Sequence, residues 1–309
     1  MNQSHQALQI EPATPGSCRE AFELLLSGTP PDRRKESLSA LIASAKLDPS
    51  SLDFLYEARR GGLLVGAAWA QVMPGRCASF WPPELRPGEN ETVAELLAHA
   101  VMDRLAGRGV RVAQTLLTTD VGTTAGRLER ANFEHLADLL YLVSTEADFP
   151  ATRISTDLSF EPADDIGRVR RLQSMIEATY EKTLDCPDLN GVRSSEDVLA
   201  GYRAVGEFDA RRWLILRHGL QDVGCLLLAD YPEVQQWELV YMGLKAASRG
   251  QGWGIEVVRH AQWLARQAGR SRLVLAVDDR NEPAKRIYGE TGFSSWDRRS
   301  VYIAVIESA

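Results

Sequence analysis

Leu239, Val240, Tyr241, Met242 and Leu244 form an apolar, β-compatible run that ends at a stretch of small and flexible residues, Ala246 to Gly254. From Ile255 the period changes. Apolar residues fall at 255, 257, 258, 261, 264 and 265, the spacing of an amphipathic helix. Ser271 to Val277 then reads as a strand, and Val301 to Ile306 as a last strand. Upstream, Leu158 to Glu161 ends a strand, and Asp164 to Tyr180 carries apolar positions at 166, 169, 172, 175 and 176. Ser195 with Asp197 opens a helix running through Tyr202, and strands at 212–217 and 222–229 flank His218-Gly219 as a hairpin.

The first half repeats this order. A strand at 7–10 precedes helices at 17–26 and 34–45, separated by the breaker Gly28-Thr-Pro-Pro31. Strands at 53–58 and 62–72 form a hairpin, and a strand at 77–81 stops before Pro82-Pro83. A helix at 93–105, a strand at 110–117, a helix at 122–130 and a closing strand at 137–144 complete the half. Two runs of β-α-α-β-β-β-α-β-α-β make an internal repeat of about 150 residues. The linker Glu146-Ala-Asp-Phe-Pro150 separates domain 1–147 from domain 148–309. The expected fold class is α/β (α+β): two tandem domains, each a mixed, mostly antiparallel twisted sheet flanked by helices.

Composition narrows the chemistry. With 309 residues, 44% hydrophobic and 25% charged, the chain has the balance of a globular protein. A net charge of −7 argues against a nucleic-acid partner. The basic groups Arg168, Arg170, Arg171 and Arg298, Arg299 are read as solvated faces. Cys18, Cys77, Cys186 and Cys225 form no C-x-x-C pair, and His5, His99, His135, His218 and His260 lack metal-ligand spacing, so no metal is expected. No apolar segment reaches 18 residues and no targeting segment is recognisable. A cytoplasmic protein without a membrane partner is the expectation.

The loop before Ile255 is the candidate site. A strand, a glycine-rich loop and a helix start present unpaired first-turn amides and the positive end of the helix dipole, which suits a phosphate or pyrophosphate. Gly250, Gly252 and Gly254 let the backbone approach a ligand closely. Their G-x-G-x-G spacing is not the dinucleotide fingerprint, and no G-K-[ST] follows for a nucleotide P-loop.

Arg249-x-x-Gly252-x-Gly254 resembles motif A of the GNAT acyltransferases, and Asn281-x-x-Ala284-x-x-x-Tyr288 with Gly292-Phe293 resembles that family's second signature. The tandem order resembles bacterial tandem GNAT proteins such as mycothiol synthase. The resemblance implies acetyl-CoA as co-substrate, with the amides of Arg249, Gly250, Gln251, Gly252, Trp253 and Gly254 on its pyrophosphate. Met242, Gly243 and Leu244 would follow the pantetheine arm. Asn281 would contact that arm or fix the loop, and Ala284 and Tyr288 complete the coenzyme set. Met242 N–H would assist the oxyanion, Gly243 fits a bulge, Tyr288 would be the general acid and Glu238 the general base. Lys245 is a further phosphate contact without motif support. The turn-rich loop 183–191 would shape acceptor choice.

On alternation, Glu238, Val240, Met242 and Leu244 share one face. In the first half Trp81-Pro-Pro replaces the glycine loop, and Leu128 occupies the tyrosine's place, so that domain is expected to be structural. The implied activity is acetyl transfer from acetyl-CoA to a primary amine of a small molecule. Two alternatives stay open: a non-catalytic acyl-CoA sensor, and a protein lysine or N-terminal acetyltransferase, to which the acids Glu207, Asp209 and Asp230 would point. Oligomeric state is not readable from these features.

Overall fold

A computed structural model describes residues 7–118, 122–189 and 191–307. His5 and Asn190 lie outside the described residues. The chain divides into two compact units. One comprises residues 1–135 with 302–309, and the other residues 136–301.

The first unit runs β1 (Leu8–Pro12), α1 (Cys18–Leu25), α2 (Pro31–Leu47), β2 (Leu55–Arg60), β3 (Leu63–Met73), β4 (Cys77–Leu85), α3 (Glu91–Ala106), β5 (Val112–Thr118) and α4 (Gly122–Arg130). Its strands are ordered β1-β2-β3-β4-β5, antiparallel except for the parallel pair β4–β5. Pro31 takes the first helical position of α2, where its missing N–H costs nothing. The strand β4 runs on through Pro82 and Pro83 rather than stopping before them. Both prolines fall where the β3–β4 register shifts, and β4 pairs with β5 only from Cys77 to Ser79. No ladder there needs their amides.

The second unit runs β6 (Glu134–Thr145, from Leu136 on), β7 (Leu158–Pro162), α5 (Ile166–Thr179), α6 (Ser195–Arg203), β8 (Trp213–His218), β9 (Gln221–Tyr231), β10 (Gln236–Leu244), α7 (Trp253–Gln267), β11 (Arg272–Asp278), α8 (Glu282–Glu290) and the start of β12 (Ser294–Val305). The strand order is β6-β11-β10-β9-β8-β7. The α6 cap is Ser194, whose hydroxyl accepts from the Asp197 N–H, one residue before the expected Ser195.

The terminal strands of the two halves lie where periodicity could not place them. β6, expected to close the first half, pairs antiparallel with β11 along Leu139–Thr145. Tyr302, Ala304 and Ile306 at the chain's end pack in the first unit's core, and the Ile306 N–H reaches the Arg111 carbonyl at 2.8 Å. A period-2 pattern says that a strand has a buried face, not which edge it joins.

The second unit has apolar clusters on both sheet faces. Leu226, Leu228, Trp237, Leu239, Leu273, Leu275 and Val277 pack with α7 residues Val257, Val258, Ala261 and Ala265. Ile215, Cys225 and Leu227 pack with Leu172, Met175 and Ile176 of α5. Gln262, fully buried on α7, donates to Ser144 Oγ and Thr291 O at 2.7 Å each, tying α7 to β6 and α8.

Candidate active site

The site is built where β10 and β11 part. They pair in parallel only over Gln236–Arg272, Trp237–Leu273 and Glu238–Val274. Past that point β10 continues to Leu244 and β11 to Asp278, and a cavity of about 200 Å³ lies beside the unpaired stretches. Met242, Gly243, Leu244, Arg249, Asn281, Ala284 and Tyr288 all line it, so residues 46 positions apart in sequence meet there.

A bulge decides how β10 faces this opening. The β9–β10 register shifts between Leu239 and Tyr241, leaving Val240 as the extra residue. The expected bulge at Gly243 is absent, since Gly243 stands in register with Cys225. Gly243 serves close packing instead: a Cβ would lie 2.7 Å from Thr179. The extra residue also inverts the side-chain phase. Met242 and Leu244 pack with Trp237 and Leu239 in the α7 cluster, whereas Val240 joins the α5 cluster. The shared face expected for Glu238, Val240, Met242 and Leu244 therefore breaks at the bulge.

The glycine loop opens with a 3-10 turn at Ala246–Ser248, and α7 begins at Trp253. Gly250 and Gly252 take φ of 79° and 81°, a region that disfavours any side chain. Gly252 is the α7 N-cap and supplies no side-chain acceptor, so the first-turn amides stay uncapped. Gly254 lets α8 come close: a Cβ there would lie 2.6 Å from Ile287 Cδ1. The Arg249 side chain turns inward. Its Nε donates to Leu244 O at 3.1 Å, Nη1 to Lys182 O at 2.8 Å and Nη2 to Thr179 O at 2.9 Å. Its guanidinium thus holds the loop, and its own N–H is taken by Ala246 O at 3.4 Å. Lys245 lines a different cavity, with Arg171 and Arg217.

Asn281 caps α8 by accepting from the Ala284 N–H at 3.3 Å, and it also lines the cavity. Tyr288 is buried beside Phe293, with ring centroids 5.5 Å apart. Burial and the Asp185 carboxylate raise its pKa, so the phenol keeps its proton. Glu238 stands at the last position of β10 that pairs with β11 and accepts from the Tyr231 hydroxyl at 2.9 Å. Burial raises its pKa, partly offset by that hydrogen bond. Glu238 does not line the cavity itself; its neighbours Leu239 and Val240 do.

Asp185 was not singled out in the sequence, yet it lines the cavity. Its Oδ1 accepts from the Asp278 N–H at 3.3 Å, and Asp278 Oδ2 accepts from the Cys186 N–H at 3.3 Å. These reciprocal bonds pin the loop after α5 to the end of β11. Only its place in the turn-rich stretch hinted at this. Two of the three acids thought to attract a cationic acceptor are engaged elsewhere. Asp209 pairs with Arg211, and Asp230 with Arg270 and Arg212, while Glu207 pairs through its backbone with Asp230. Among the described residues there is no cluster suited to a metal ion, and no helix is long and apolar enough to cross a membrane.

The corresponding opening in the first unit is occupied. β4 and β5 part after Ser79–Gln114, and Arg127 of α4 enters with only 12% of its side chain exposed. It donates to Pro83 O at 3.0 Å and to both Glu91 oxygens at 2.8 and 2.9 Å. Leu128 is fully buried at the place that matches Tyr288.

Residues 176–293 match the acetyltransferase (GNAT) family. A comparison with curated proteins finds no match. A GCN5-related N-acetyltransferase from Sphaerobacter thermophilus is similar in structure, with a TM-score of 0.63 at 13% identity over 97% of this chain and 96% of that one. A glucosamine N-acetyltransferase region of a fungal multi-domain β-N-acetylglucosaminidase gives 0.61 at 13% identity, over 97% of this chain and 38% of that one. A tandem GNAT protein from the clavulanic acid biosynthesis pathway gives 0.51 at 12% identity, over 98% of this chain and all of that one. Residues 176–293 thus match the acetyltransferase (GNAT) family, and the chain is similar in fold to these proteins over nearly its whole length.

Proposed function

We propose that the second unit transfers an acetyl group from acetyl-CoA to a primary amine of a small molecule by direct attack. The observation that carries this reading is the parting of β10 from β11 at Glu238, with Tyr288 lining the cavity beyond. The amides of the Gly250–Gly254 turn would hold the pyrophosphate. The pantetheine arm would lie along Met242, Gly243 and Leu244, in place of the ladder partner that β10 lacks there. Glu238 takes the ammonium proton. The amine nitrogen then bonds to the thioester carbon, and Met242 N–H steadies the oxyanion. The C–S bond breaks, Tyr288 protonates the departing thiolate, and the second proton of the attacking nitrogen returns to the Tyr288 phenolate as the amide forms.

The raised pKa of Glu238 suits a base working near neutral pH, and that of Tyr288 keeps a proton available. In the first unit Arg127 fills the corresponding opening, which supports a structural role for it. The ion pairs of Asp209 and Asp230 take up two of the three acids that a lysine tail would meet, which favours a small acceptor. Free-thiol release from acetyl-CoA with a panel of amines tests the proposal. Tyr288→Phe should lower kcat by about 10²-fold. Unchanged turnover would remove Tyr288 from the chemistry, and binding of acetyl-CoA without turnover of any amine would favour a sensor.

A further inference from the structure

Glu238 shares its face of the second unit's sheet with Ala276 and Tyr141, and the register and exposure there outline a shallow trough. Register places Glu238 beside Val274, Val274 beside Val143, and Ala276 beside Tyr141. Alternate residues share a face, so Glu238, Ala276 and Tyr141 point away from Leu273, Leu275 and Val277, which pack against α7. Ala276 lies mid-strand in β11 and is exposed. Trp296 is 59% exposed and meets Tyr141 edge to face, with centroids 5.8 Å apart. A large, open indole against a phenol is a ready surface for ligand contact. The Tyr141 phenol lies within electrostatic reach of Arg299, Glu238 and Asp297. Ala276 also lines the cavity that holds Tyr288, so trough and cavity are continuous.

Resting on the acyl-transfer reading above, we propose that this trough seats the acceptor: a primary amine borne on a ring with an apolar face. The ring lies against Trp296 and Tyr141 over Ala276, and its ammonium meets Glu238. The small side chain of Ala276 leaves the depth that a ring fills. The Tyr141 hydroxyl would bond ring substituents, while Arg299 is paired with Asp297 and the Tyr231 hydroxyl with Glu238. An aromatic ring and a sugar ring present the same kind of face, and the probes separate them.

Calorimetric titration of the CoA-loaded protein with 2-phenylethylamine, glucosamine, n-butylamine and spermidine tests the seat. At least one ring amine should bind about 10-fold tighter than both linear amines, since aromatic contact adds roughly that factor. Trp296→Ala should weaken ring-amine binding about 3- to 10-fold, and Ala276→Leu should abolish it. Unchanged acetyl-CoA affinity in Trp296→Ala, and a wild-type urea unfolding midpoint in Ala276→Leu, show that the variants are folded. The proposal is overturned if linear amines bind as tightly as ring amines, or if both variants leave ring-amine affinity unchanged. Thiol release separates the two readings. A ring amine that binds but is not acetylated refutes transfer and keeps the seat. A linear amine that is turned over while no ring amine binds refutes the seat and keeps transfer.

Discussion

Replacing Arg249 with Met removes a guanidinium that holds three carbonyls at once, on the end of α5, the loop after it and the end of β10. The bonds measure 2.8 to 3.1 Å, and Arg249 is half-buried. A hydrogen bond from a charged donor contributes about 1.5–3 kcal/mol when well buried. Water can reach the freed carbonyls here, so about 1 kcal/mol each is the better figure, and Arg249→Met should cost about 3 kcal/mol. Lys keeps the charge but not the planar fork, and should recover about 1 kcal/mol. Urea unfolding gives the stabilities, and titration with acetyl-CoA at low and high salt gives the affinities. If the side chain is scaffold, the variant loses stability while the salt dependence of binding is unchanged. A stability loss below about 0.5 kcal/mol, with weaker binding and a flattened salt dependence, would mean that Arg249 contacts phosphate directly and would refute the reasoning.

Glu238→Gln should lower kcat/KM at neutral pH by about 10²–10⁴-fold. Only the ionised form accepts a proton, so the wild-type rate should fall with decreasing pH through an apparent pKa above the usual carboxylate value. A glutamine variant that keeps that acid limb would assign it to another group. His260 stacks on Phe160 at 3.6 Å with Nδ1 unpartnered, and burial pushes its pKa down to about 4. Below pH 6.5 the unfolded chain takes up this proton and the fold does not, so stability should drop by about 3 kcal/mol as pH falls from 6.5 to 4. In His260→Phe the Tm should change less between pH 7 and 4.5; an identical loss in both proteins would contradict the assignment.

Much of the architecture was written in local patterns. Period changes placed most helices and strands within a few residues, though the last strand begins at Ser294 rather than Val301, and the glycines before α7 marked a loop that takes positive φ. Long-range choices left no such trace. Nothing in the alternation of β10 signals that Val240 is extra, because a bulge depends on what the partner strand offers. The direction of the Arg249 side chain depends on carbonyls about 70 residues upstream. Asp185 reads as a turn residue until β11 supplies the Asp278 amide. The acids Asp209 and Asp230 look free in sequence because their arginine partners include the distant Arg270.

The most direct test is calorimetric titration of acetyl-CoA into the wild type and Gly252→Asp. At the α7 N-cap an aspartate would itself accept from the first-turn amides and bring a negative charge to the anion site. The helix should survive, since aspartate tolerates the left-handed region better than most residues. The account predicts wild-type binding that is lost in the variant. Undiminished binding by Gly252→Asp would contradict the placement of the coenzyme at this loop.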